Sequence, residues 1–71
     1  MTSHRTNWVK QSVKRAVRYS RHVQEELVAA REAKRQGELL RVRHHVRWAR
    51  RYHHELIKTE LEVAEYLHDR I

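Results

Sequence analysis

Apolar side chains recur along the chain in alternating steps of four and three. In the first half the stripe runs Val9, Val13, Ala16, Ser20, Val23, Leu27 and Ala30, with Val17 and Val28 at its edges. In the second half it runs Leu39, Val42, Val46, Ala49, His53, Leu56, Glu60, Val63 and Leu67, flanked by Ile57, Leu61, Ala64 and Ile71. Such steps keep side chains on one side of a helix with 3.6 residues per turn, whereas a strand would repeat every second residue. Each half therefore predicts an amphipathic helix with one face to bury. His53 and Glu60 interrupt the second stripe, and polar groups in a buried seam typically set register or partner choice.

The two stripes are out of phase. Continuing the first frame past residue 30 lands on Lys34, Gly37, Arg41, His44, Trp48, Arg51, Glu55 and Lys58, which no core would accept. The helix must break, and Gly37, the one glycine of the chain, stands almost at its midpoint. Glycine takes positive φ at little cost just past a helix C-terminus, and Lys34 and Arg35 suit the negative end of the helix dipole. There is no proline, and Arg, Glu, Ala and Leu abound. The prediction is all-α: a single domain over 1–71, with a helix over about 6–36, a turn near Gly37 and a helix over about 38–70, folded as a two-helix antiparallel hairpin.

Charge gives the arms a direction. Folding back about Gly37 sets side by side residues whose numbers sum to about 74. Residues 5–21 hold Arg5, Lys10, Lys14, Arg15, Arg18 and Arg21 with no acid, and they would face Glu55, Glu60, Glu62, Glu65 and Asp69. The arginines of 41–51 would fall beside Glu25, Glu26 and Glu32. Exposed pairs contribute only about 0.2–1 kcal/mol each, so they orient the arms more than they stabilise them. Two helices alone leave one side of the seam wet, and a chain of 71 residues buries little surface by itself. The expected remedy is a homodimer closing a four-helix bundle.

Composition narrows the functional classes. The absence of cysteine removes disulfides and most structural zinc patterns. The longest unbroken apolar run, 27–30, is far too short to span a membrane, and the polar start lacks a signal-peptide core. A soluble, cytoplasmic protein is expected. Sixteen Lys and Arg against nine acids give a formal net charge of +7, a field that favours polyanions.

Enzymatic chemistry finds little support. Ser3, Ser12 and Ser20 have no base and orienting group around them, and a single glycine cannot build a phosphate-cradling loop. Glu65 and His68 match the Glu-x-x-His spacing of di-iron bundles, but the facing arm, residues 1–24, offers no carboxylate to complete such a site. His44 with His45, and His53 with His54, are adjacent pairs whose side chains diverge by about 100° on a helix and chelate poorly. No metal, other cofactor or small-molecule substrate is expected.

The basic residues are more informative. Lys10, Lys14, Arg18 and Arg21 recur every three or four positions on the first arm, and Arg43, Arg47, Arg50 and His54 do so on the second. Arg51 flanks the second row, and Trp48 lies off the predicted seam among these cations. Rows of arginine with an aromatic beside them suit phosphate contact with stacking or groove-edge packing. These residues are the candidate nucleic-acid contacts.

Arms this long are unlike a helix-turn-helix, whose short second helix enters the major groove, and the phase break argues against one continuous basic-zipper helix. A long flat face suits duplex RNA, which is recognised largely by shape, phosphates and 2′-hydroxyls. In layout and charge the chain resembles the dimeric helical-hairpin suppressors of RNA silencing made by some small RNA viruses. That resemblance implies a viral protein binding double-stranded RNA independently of sequence. The alternatives are a DNA-binding protein of nucleoid, plasmid or phage regulatory type, and a helical adaptor docking an acidic protein. A surface-bound membrane helix fits less well, because the apolar stripe is narrow and carries few bulky residues. Seven histidines add the expectation that mild acid raises the charge and tightens polyanion binding.

Overall fold

The structure, a computed structural model, describes residues 3–69. Ile71, the far end of the second helix expected at residue 70, and the side chains of Ser3 and Arg5 lie outside the described residues. Two helices, α1 (Ser3–Arg35) and α2 (Leu39–His68), pack against each other as an antiparallel hairpin. Nothing in the first residues breaks a helix, so α1 starts three positions before the expected residue 6. The hairpin is slender, with principal extents of 55 × 17 × 13 Å.

The turn is a backbone device. Gly37 adopts φ +74°, and the amides beyond the helix fold back on its last carbonyls. Gly37 N–H donates to Lys34 C=O at 3.0 Å, and Glu38 N–H donates to Ala33 C=O at 2.9 Å. These two bonds form a Schellman ending, which satisfies carbonyls that a helix terminus otherwise leaves bare. The chain re-enters helix at once. Glu38 makes no side-chain cap to the α2 amides; its carboxylate instead accepts from Arg41 at 2.7 Å.

The arms meet along a seam that differs from the predicted stripes by one position at alternate steps. On α1 the inward residues are Ser12, Ala16, Tyr19, Val23, Glu26, Ala30 and Ala33; on α2 they are Val42, His45, Ala49, Tyr52, Leu56, Thr59, Val63 and Tyr66. The fully buried members are small: Ser12, Ala30, Ala33, Ala49 and Thr59. Small side chains let two helix backbones approach, and the gaps between them are filled by rings. Trp8 lies 5.1 Å from Tyr66, Tyr19 6.5 Å from Tyr52, and His22 stacks on Tyr52 at 4.8 Å. These pairs fix the register, with sums of 71–74 matching a fold-back about Gly37.

The rotation of the seam corrects several expectations. Val13, Leu27, Leu39 and Leu67 are exposed, and so are His53 and Glu60, which therefore are not polar groups buried between the arms. Beside the seam, Val13, Val17, Leu27 and Leu67 lie on one side, and His22 and Trp48 lie with Tyr52 on the other. The cross-arm pairs expected between the lysines and arginines of 5–21 and the acids of 53–69 are not formed among the described residues. Among the described residues, the contact between an acidic and a basic side chain that crosses the hairpin is the hydrogen bond between Glu26 and His45. No helix among the described residues is long and apolar enough to cross a membrane.

Candidate nucleic-acid interface

The second-arm row is the denser of the two. Arg43, Arg47 and Arg50 follow one another by helical turns and, with Val42 and Val46, line one concavity of about 500 Å³ on the outer side of α2. His54 continues the row and is exposed. Arg51 lies round the helix, its guanidinium carbon 5.4 Å from the Trp48 ring centroid, a distance at which the cation is attracted to the ring face.

Trp48 is half-buried rather than free-standing. It belongs to a row of rings on the aromatic side of the hairpin, 6.5 Å from His44 and 5.8 Å from Tyr52. An indole held this way keeps part of its surface open and packs beside the His44 and Tyr52 rings and the Arg51 cation of its own helix. The sequence signal for this row was the spacing of Tyr19, His22, Trp48 and Tyr52, which a hydrophobicity stripe passes over because tyrosine and histidine rank below valine and leucine.

The first-arm residues Lys10, Lys14, Arg18 and Arg21 are all exposed and lie on the side of α1 turned away from α2. The hairpin does not set the two rows side by side. With Glu26 level with His45 and Trp8 level with Tyr66, Lys10 and Lys14 lie towards the open end, and Arg43 and Arg47 lie towards the turn. Only Arg18 and Arg21 share a height with Arg50, Arg51 and His54. At about 1.5 Å rise per residue each row covers roughly 16 Å, and the two stand on opposite outer sides of the hairpin, offset along its length.

The acids near the turn are occupied elsewhere. Glu26 accepts from the His45 ring at 2.6 Å, because an ionised carboxylate only accepts. Glu32 pairs with Arg35 at 3.3 Å and Glu38 with Arg41 at 2.7 Å. None of the rowed cations makes an ion pair among the described residues. No group of three or more His, Asp or Glu positioned to hold a metal occurs there either. No protein-family model matches the chain, and comparison with characterised proteins and with solved structures gives no match.

Proposed function

We propose that the protein binds nucleic acid, two hairpins pairing into a four-helix bundle whose outward arginine rows lie along the phosphates of a duplex, with double-stranded RNA favoured over DNA. The observation that carries this reading is the concavity lined by Arg43, Arg47 and Arg50, left uncompensated while Glu26, Glu32 and Glu38 are each engaged by another residue. A solvated surface of mixed charge would intersperse partners along such a row. Unpaired arginine forks one helical turn apart fit a polyanion of regular spacing. The rows are straight and borne on long helices, so contact by shape and backbone is favoured over a helix inserted into a major groove.

The test is binding of the full chain to matched RNA and DNA duplexes and to single strands at two salt concentrations. Preference for duplex RNA of any sequence is the expected outcome. Replacing Arg43 and Arg47 by Gln should weaken binding equally across sequences and flatten the log–log salt slope by about 0.9 for each phosphate that is no longer neutralised. Unchanged binding by a folded double variant removes this face from the interface. Binding to none of the nucleic acids returns the arginines to a protein interface with an acidic partner.

A further inference from the structure

Opposite the aromatic side, the hairpin carries an uncovered aliphatic face with two grooves along it. The groove near the open end, about 300 Å³, is lined by Val13, Ala16, Val17, Val63, Ala64 and Leu67, with Glu60 as its one charged residue. The groove nearer the turn, about 400 Å³, is lined by Val23, Leu27, Val46 and Ala49, with Arg50 and His53. Val17 is 56% exposed and Leu67 49%, so ridges as well as grooves are present. A compact monomer of 8.8 kDa should expose about 4,800 Å². This chain exposes 6286 Å². The excess, roughly 1,500 Å², exceeds the roughly 800 Å² per partner of a standard interface.

We infer that a second copy of this chain covers this face with its turn at the opposite end, Glu60 of each hairpin meeting Arg50 and His53 of the partner subunit. The inference rests on the reading that two hairpins pair, and it specifies the face and the direction. Charge decides the direction. Pairing with both turns at one end lays each groove on its own copy and sets Glu60 against Glu60 and Arg50 against Arg50. Reversing one hairpin lays the acidic groove on the basic one, twice by symmetry. Setting residue 60 opposite residue 50 keeps 42–68 of α2 in register with the same span of the partner, so nearly the whole helix is covered. Glu60 and His53, exposed in one hairpin, thereby become the polar groups that specify partner and register. Arg50 borders both the groove near the turn and the outer concavity, so it meets the partner at the edge of the polyanion face, and Arg43, Arg47 and Arg51 stay clear of the partner.

The experiment is the mass and dissociation constant of the full chain in solution without nucleic acid, by sedimentation. The expected species has twice the chain mass of 8.8 kDa. Glu60→Arg and Arg50→Glu should each raise the dimer dissociation constant by roughly 10- to 100-fold, and the double exchange should restore it. Val13→Glu with Val17→Glu should give a monomer that keeps its helical circular dichroism, because both positions are exposed in the hairpin. A chain that stays monomeric at high micromolar concentration overturns the pairing reading itself. A dimer in which the double exchange gives no rescue, or which survives the valine changes but is broken by Gln11→Glu on the aromatic side, overturns the face and direction and leaves pairing intact.

Discussion

Glu26 and His45 join the two arms through a 2.6 Å hydrogen bond in a seam otherwise made of small, aliphatic and aromatic groups. Both side chains are mostly shielded, at 25% and 19% exposure, so losing the carboxylate strands a ring nitrogen away from bulk water. Glu26→Ala should lower stability by about 1–2 kcal/mol. Glu25→Ala removes only an exposed contact with His22 at 3.6 Å and should change stability by less than about 0.5 kcal/mol. Denaturant unfolding followed by circular dichroism compares the two, and equal effects would show that the cross-arm bond contributes nothing particular. The sequence placed Glu26 beside the basic stretch of the second arm, which is where it lies, but named arginine as its neighbour. Histidine takes that place because the seam is turned by one position, which carries Arg43 and Arg47 outward.

At the scale of the elements, the helices and their break were legible because phase is a strict constraint: no straight helix can bury both stripes, and Gly37 is the one residue suited to end the first. The cost of replacing it is purely conformational, since a Cβ at Gly37 would meet nothing within 4 Å and the strain comes from φ +74°. Gly37→Ala should destabilise the hairpin by about 1–2 kcal/mol, and Gly37→Asn by less, measured by thermal unfolding. The side of each helix turned to its neighbour was half legible. Ala16, Val23, Ala30, Val42, Ala49, Leu56 and Val63 are common to the predicted stripes and the observed seam; Val13, Leu27, His53 and Glu60 were placed inside and are not. Hydrophobicity points to the middle of the apolar arc, whereas close approach of two backbones selects the edge where Ser12, Ala33 and Thr59 are small enough. The basic rows were readable as rows, and their offset was not, because it depends on the three-dimensional register of the arms.

For the whole molecule, the same rotation leaves one flank of large aliphatic residues and another of rings, and each points to a different use. The aliphatic flank is the one proposed above to take a second copy of the chain, and the outer surfaces are those proposed to meet a polyanion. The ring flank holds the hairpin itself together. Along that flank the two tryptophans stand far apart: Trp8 pairs with Tyr66 at the open end, and Trp48 lies tilted against Tyr52 nearer the turn. The chain thus carries two intrinsic fluorophores that report on different heights of the hairpin. Loop-closure entropy predicts that closure spreads from Gly37, where the paired residues are near in sequence, to the Trp8–Tyr66 clasp, where nearly the full chain lies between them. In single-tryptophan variants, Trp48→Phe and Trp8→Phe, emission from the remaining Trp8 should shift to the red at a lower temperature than emission from the remaining Trp48. Coincident transitions would mean that the hairpin opens all at once.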